Sequence, residues 1–332
     1  MVAIRADQVR VYPKYLFAVL RSQLIQDRIA RLHVGTLIPH FKKGDFDKLT
    51  IPIPNRSDQI FIGDTYFNIS ARIDVNRRMS ATQEAMARAL FKSWFVDFDP
   101  VRAKAEGRDT RLPLEIEELF PDRFVDSELG QIPEGWVVSN FGEVAKQYRR
   151  AIRPEEIESS MPYIGLEHMP KHSIALADWA SAEEIASNKY EFRKGEILFG
   201  KLRTYFHKVG IAPVDGVCST DIVVVAPKNS VWFGFVLGHA SSVEFVDYTH
   251  SGSTGTKMPR TNWRYMARYV IALSPESLAA EFARMMQPSF DRIVTAQHES
   301  RDLADLRDTL LSKLVSGELQ VKDAEEILRW SV

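Results

Sequence analysis

Two stretches of this sequence carry side chains suited to gripping a nucleic acid. Residues 199–210 read FGKLRTYFHKVG, interleaving Lys201, Arg203, His207 and Lys208 with Phe199, Tyr205 and Phe206. Cations at that density can reach phosphates or guanine edges while the aromatic rings fix the loop that carries them. The same pattern also suits an edge strand whose long basic side chains snorkel to water. Residues 251–263 read SGSTGTKMPRTNW. The hydroxyls of Ser253, Thr254 and Thr256 and the glycine amides beside them suit close approach to a phosphate backbone. Lys257, Arg260 and Asn262, with Arg264 just beyond, offer groups for base edges, arginine for guanine and asparagine for adenine. A plain turn before a strand would satisfy the same glycine and proline placement. A third stretch, 28–44, holds Arg28, Arg31, Lys42 and Lys43. Residues 28–44, 197–214 and 248–275 contain no acid at all. With a net charge of −1 over the whole chain, only such local concentration argues for nucleic acid.

Nothing comparable supports catalysis. GSTGTK at 252–257 lacks the adjacent Gly-Lys and the following hydroxyl that a phosphate loop needs. No Asp-x-Lys or Glu-x-Lys pair is present to hold magnesium and polarise a phosphate. No Asn/Asp-Pro-Pro-aromatic run is there to position an amino group for methylation, and no glycine-rich cofactor loop follows a strand. The eight histidines have no metal-ligand spacing, and no nucleophile–base pair assembles. The chain reads as non-catalytic by itself, with no cofactor and no metal of its own.

These residues need elements to position them, and the sequence supplies the same set twice. GTLIP at 35–39 returns as GTKMP at 255–259, and the offset of 220 also places Ile51-Pro-Ile53 on Ile271-Ala-Leu273 and Arg72-Ile73 on Arg292-Ile293. A sustained offset marks a duplicated unit. Each copy ends in an apolar stripe at steps of three and four. The first runs through Ile62, Tyr66, Ile69, Ile73, Met86, Leu90 and Trp94, with a polar middle at Asn76, Ser80 and Gln83. The second runs through Phe282, Met286, Phe290, Ile293, Ala296, Leu303, Leu306, Leu310 and Leu314, with a polar gap near Ser300. Pro275 opens the second stripe and Gly317 closes it. Each helix would span about 40 residues, or roughly 60 Å. Two such single-stripe helices bury their faces most simply by packing antiparallel.

Between them, short β-like runs (Trp136-Val-Val, Glu196–Phe199, Asp221–Val225, Tyr269–Leu273) are punctuated by Gly, Pro, Asn and Ser. The expected fold is α+β: mixed α/β domain structure plus two long helices packed as an antiparallel coiled coil. The expected divisions are 1–54, the distal part of a first domain; 55–96, the first long helix; 97–130, a linker with little core of its own; 131–275, a full mixed domain; 276–318, the second long helix; and 319–332, a tail. The apolar share of 45% and charged share of 26% are those of an ordinary globular protein. The single cysteine, Cys218, reads as a small buried apolar residue and fits a reducing cytoplasm. No apolar run approaches the ~18 residues of a membrane span, and MVAIRADQVR has no signal-peptide pattern. A cytoplasmic location without a membrane partner is expected.

Six blocks then fall in order: LFKSWFVDFDPVRAKAEG (90–107), LGQIPEGWVVSNFGEVA (129–145), KGEILFGKLRTYFHKVGIA (194–212), STDIVVV (219–225), GTKMPRTNW (255–263) and LRDTLLSKLVSGEL (306–319). Together they closely resemble the DNA-specificity subunit of type I restriction-modification enzymes. The resemblance implies two target-recognition domains, each reading half of a bipartite double-stranded DNA site, and long helices that set the spacing. It also implies partners: methyltransferase subunits that carry S-adenosylmethionine and methylate adenine, and a restriction/translocase subunit. The repeated turn would then be the same groove-facing element serving each half-site. The chain departs from the family pattern in having no counterpart of IPEGW or KLRTYF in its first copy. The expectation is therefore an N-terminally truncated subunit, with core surface exposed around Val2–Ile4. Two other readings stay open on the residues: a half-subunit that homodimerises to read a palindromic site, and a coiled-coil adaptor that binds protein rather than DNA.

Overall fold

The computed structural model describes residues 4–31, 43–183 and 185–331, without the side chains of residues 43, 45, 46 and 327–331. The first copy of the repeated turn, 35–39, lies outside the described residues, as does Val2; Ile4 is 49% exposed. Helices α1 (Pro13–Arg21) and α2 (Gln23–Arg31) precede the long α3 (Arg56–Phe95). Then come α4 (Asp99–Ala105), α5 (Leu114–Glu117) and α6 (Phe141–Val144). Helices α7 (Phe233–Ala240), α8 (Val243–Ser251) and α9 (Trp263–Met266) lead into the long α10 (Glu276–Ser316), and α11 (Val321–Ser331) follows it. The starts of α1, α2 and α3 recur 220 positions later as the starts of α7, α8 and α10. The repeat is therefore one of structure as well as of residues.

The chain forms two compact units, Met1–Arg77 with Glu299–Val332, and Arg78–His298. In the first, Ile62, Tyr66, Ile69 and Ile73 of α3 are buried with Leu303, Leu310, Leu311 and Leu314 of α10. Arg72 pairs with Glu299 at 3.0 Å and Arg307 donates to Ser70 Oγ, so the helices run antiparallel. In the second unit Gln297 Nε2 donates to Ser80 Oγ at 3.2 Å, and the rings of Phe91 and Trp94 meet Phe282 at 6.1 and 5.7 Å, again antiparallel. Pro275 O accepts the Leu278 N–H at the start of α10, and Gly317, with φ of 81°, ends it in the left-handed conformation a helix terminus favours. One member of the expected stripe is wrong. Met86 is 60% exposed, and the buried face passes instead through Ser80, Glu84, Ala87 and Phe91. The helical step of three and four decides over side-chain hydrophobicity, since only those positions share a face.

The second unit holds the strands. These are β1 (Phe124–Ser127), β2 (Gly130–Pro133), β3 (Val137–Asn140), β4 (Ala145–Tyr148), β5 (Arg150–Ile152), β6 (Pro162–Ile164) and β7 (Ala180–Ser181), followed by β8 (Lys189–Phe192), β9 (Ile197–Gly200), β10 (Val209–Ile211), β11 (Gly216–Cys218), β12 (Ile222–Pro227) and β13 (Val270–Leu273). One sheet has the order β10-β9-β12-β4 and another β5-β8-β11-β6-β7, with β11 and β6 parallel; β1 pairs with β2 and β13 with β3. Every residue of β9 is buried, as is β12 up to its terminal proline. Continuous apolar strands of this kind need cover on both faces. Ile197, Phe199, Val223 and Val225 face Phe235 and Phe245 of α7 and α8, while Leu198, Ile222 and Val224 join Phe192 and Cys218. Burial pushes the Cys218 thiol up to about 12, leaving it an inert core residue.

The stretch 97–130, read from sequence as a linker with little core of its own, contributes Val101, Ile116 and Phe120 to the main cluster, with Phe120 edge-on to Trp94 at 5.2 Å. Within the stretch expected as a tail, α11 (Val321–Ser331) buries Ala324 in the cluster of the first unit.

Candidate nucleic-acid interface

The two basic stretches of the second unit meet. After β9 the chain leaves the sheet through Lys201, whose N–H donates to Asp221 O at 2.9 Å, and Lys201 O accepts the Thr261 N–H at 3.0 Å. Leu202 bridges to Arg260, and the Arg203 N–H donates to Pro259 O at 2.8 Å. Residues 254–260 close as a turn of their own, with Thr254 and Arg260 exchanging both backbone hydrogen bonds at 3.0 Å. Gly255 sits at φ 101°, a conformation open to glycine and strained for other residues. The sequence thus brings FGKLRTYFHKVG and SGSTGTKMPRTNW to one surface.

Within it the proposed contact residues divide by what their side chains already hold. Thr254, Thr256 and Lys257 are exposed at the tip of the turn, and Arg264 is exposed on α9. Neither Lys257 nor Arg264 has an ion-pair partner among the described residues. Tyr205 is 46% exposed and packs on Phe206 and His250, with ring centroids at 4.7 and 5.3 Å. Asn262 is exposed and caps α9, its Oδ1 accepting the Tyr265 N–H at 3.0 Å. Ser253 turns inward to donate to Thr249 O at 2.8 Å.

Three side chains are committed elsewhere. Arg260 holds Asp221 in a two-pronged ion pair at 2.8 and 3.1 Å, which raises its pKa above the ordinary value and leaves it a poor partner for guanine. Arg203 donates to Lys257 O at 3.1 Å and so braces the neighbouring turn. Lys208 donates to Leu166 O, and burial lowers its pKa, helped by Lys171. His207 is a correction: it is 4% exposed, its Nε2 lies 2.9 Å from Ser241 O, and burial holds its pKa below the usual histidine range. A ring so enclosed offers nothing to an outside ligand. Lys42 lies outside the described residues, and for Lys43 only the backbone is described, as the first residue of a 3₁₀ turn, Lys43–Lys48.

Beside the turn lies an open cavity of about 290 Å³ lined by Gln147, Arg149, Tyr190, Lys201, Val223, Asn262, Trp263 and Arg264. Among the described residues, three cations and no acid line it. Sequence reading missed Arg149, Gln147 and Tyr190. The run KQYRR at 146–150 was the available signal, but only the sheet, in which β12 pairs with both β4 and β9, brings Gln147, Arg149 and Lys201 to the lining of one cavity. Arg149 donates to Tyr190 Oη at 3.3 Å, a bond that raises its pKa further. Cations fixed beside aromatic rings and amide groups suit phosphates and base edges.

No protein-family profile matches the chain. Curated relatives do. The specificity subunit of the type I restriction enzyme MjaIX from Methanocaldococcus jannaschii is 24% identical over 94% of this chain and 70% of its own length. Those of EcoDI from Escherichia coli and HindI from Haemophilus influenzae are each 23% identical, over 94% and 93% of this chain and 71% and 78% of their own lengths. The chain is thus similar, over nearly its whole length, to the specificity subunits of type I restriction enzymes. Among solved structures, the specificity subunit from Thermoanaerobacter tengcongensis aligns over 95% of this chain and 73% of its own, at 17% identity and a TM-score of 0.35. That from M. genitalium aligns over 93% and 74%, at 16% identity and a TM-score of 0.48.

Proposed function

We propose that this chain reads DNA sequence for a type I restriction-modification complex, with residues 131–275 taking one part of a double-stranded target through the 254–260 turn and the cavity beside it. The observation that carries this reading is the convergence of Arg149, Lys201 and Arg264 on a cavity with no acid in its lining. Unneutralised cations there release counterions when they meet phosphates, while Gln147 and Asn262 carry amides able to pair with base edges. Residues 1–54, as the distal part of a first recognition domain, would serve the other part of a bipartite site. Methyltransferase subunits carrying S-adenosylmethionine would methylate adenine, and a restriction/translocase subunit would act on unmodified DNA.

The test is selection of a random duplex library by the full chain, with and without its methyltransferase subunit, at two salt concentrations, followed by sequencing. A bipartite motif supports the reading in full. A single or palindromic half-motif restricts reading to residues 131–275 and points to two copies acting together. No enrichment, even with the partner present, overturns it.

A further inference from the structure

The recognition loop is tied to the long helix by a set of contacts that the DNA surface itself does not use. On α3, Glu84 is buried; its Oε1 accepts Arg88 Nη2 at 2.7 Å and its Oε2 accepts the Ser173 hydroxyl at 2.9 Å. The next residue back, His172, donates its N–H to His207 O at 2.9 Å, and the two imidazoles lie 4.8 Å apart. His207 then reaches Ser241 O, at the end of α7, through Nε2. A carbonyl can only accept, so Nε2 carries the hydrogen and the neutral tautomer is set. The His207 N–H closes the loop on Thr204 O at 2.8 Å. His172, Arg203 and His207 all adopt positive φ (57°, 51° and 50°), three of the five non-glycine residues that do so among those described. Such conformations cost free energy and persist only where surrounding contacts over-determine them.

We propose that Glu84, Ser173, His172 and His207 form a positioning bridge that fixes the 203–207 loop to α3 and so sets how Tyr205 and the 254–260 turn are presented to DNA. Arg203 passes the constraint to the turn through Pro259 O and Lys257 O. None of the four bridge residues touches DNA in this account; they act through the loop. The inference rests on the DNA-reading function above. The bridge is also sensitive to protonation. The charged and titratable groups facing His207 are Arg88 from α3, His172 from its own loop and Asp247 from α8. A second proton on the ring would set a cation beside Arg88 and His172, with Asp247 in opposition, and loosen the bridge.

The experiment measures binding of the full chain to the duplex it enriches from the random library and to a scrambled duplex of equal length, from pH 7.5 to 5.5. Glu84→Gln and Ser173→Ala should each weaken binding to the enriched duplex by about tenfold at pH 7.5, the loss expected for one charge-assisted hydrogen bond. Binding to the scrambled duplex should hold, because the cations remain. His207→Gln, which keeps a neutral donor for Ser241 O, should bind as the parent does at pH 7.5 and lose the parent's fall in affinity toward pH 5.5. Parent-like affinity in both Glu84→Gln and Ser173→Ala, equal losses on both duplexes, or an unchanged pH profile in His207→Gln would overturn the bridge. A parent chain that enriches no duplex overturns the DNA-reading function itself, and the bridge with it.

Discussion

The two copies of the helical repeat solve one packing problem in opposite ways. In the first unit the short helix α1 crosses α3 where Gly63 lies against the backbone of Lys14 and Tyr15; a Cβ on Gly63 would sit 2.7 Å from Tyr15 N. In the second unit α7 crosses α10 at the corresponding place, but the glycine is on the short helix. A Cβ on Gly234 would sit 2.8 Å from the Phe282 ring and near Ala283. Lys14 and Gly234 correspond at the offset of 220, as do Gly63 and Ala283. One small residue per crossing is enough, on whichever helix carries it. The copies differ in what covers the short helix. Leu237 of α7 is 2% exposed in the cluster with Val223 and Val225, whereas its counterpart Phe17 is 48% exposed and rests on Tyr66 and Phe67. Each helical crossing is thus specified by its own seam, while the candidate interface depends on the strands of the second unit.

The sharpest way to test that equivalence is to empty matching core positions. Tyr15 and Phe235 correspond and are both fully buried. Tyr15→Ala and Phe235→Ala should each cost about 3–5 kcal/mol in chemical denaturation. Tyr15→Ala also frees Pro52 O, which accepts its hydroxyl at 2.7 Å. An unchanged denaturation midpoint in Tyr15→Ala would show that α1 is not held as α7 is. At the crossings, Gly63→Ala should cost about 1–3 kcal/mol because backbone must move, and Gly234→Ala less, because a phenyl ring can shift. Equal melting temperatures for the two variants would break the proposed exchange of glycines.

A smaller effect separates the copies by pH. His239 corresponds to Val19, and burial against Phe91, Phe235 and Tyr269 lowers its pKa from 6.5 to about 3. Above 6.5 the ring is neutral in folded and unfolded chains alike. As pH falls from there toward about 3, only the unfolded chain takes up the proton, so stability declines through that window. His239→Val, which installs the residue of the first copy, should reduce the drop in melting temperature between pH 7 and pH 5. The same drop in both proteins would assign the acid sensitivity to other groups.

What was legible in the sequence is what local periodicity encodes. Steps of three and four placed Ile62, Tyr66, Phe282 and Phe290 on their seams, and β-branched runs located β9 and β12. The errors fall where distant residues decide. Met86 is more hydrophobic than Ala87, yet only Ala87 shares the face of Ser80 and Phe91. Val101, Ile116 and Phe120 follow no single period, so a stretch that packs into the core resembled a linker. In the candidate interface, the turn and its loop were visible as motifs, but Arg260's commitment to Asp221 and the enclosure of His207 by Ser241 and His172 depend on contacts that no spacing within either motif reveals. Arg149 joined the site for the same reason in reverse, brought to Lys201 by sheet pairing.

The most direct measurement of the central claim is the salt dependence of binding to the enriched duplex for the parent chain, for Arg149→Ala, Lys257→Ala and Arg264→Ala, and for Lys228→Ala as a cation outside the cavity lining. If these side chains meet phosphates, each of the first three variants lowers the slope of log affinity against log salt by about 0.9, and Lys228→Ala leaves it unchanged. Slopes equal to the parent's in all three would contradict the assignment of this surface to DNA.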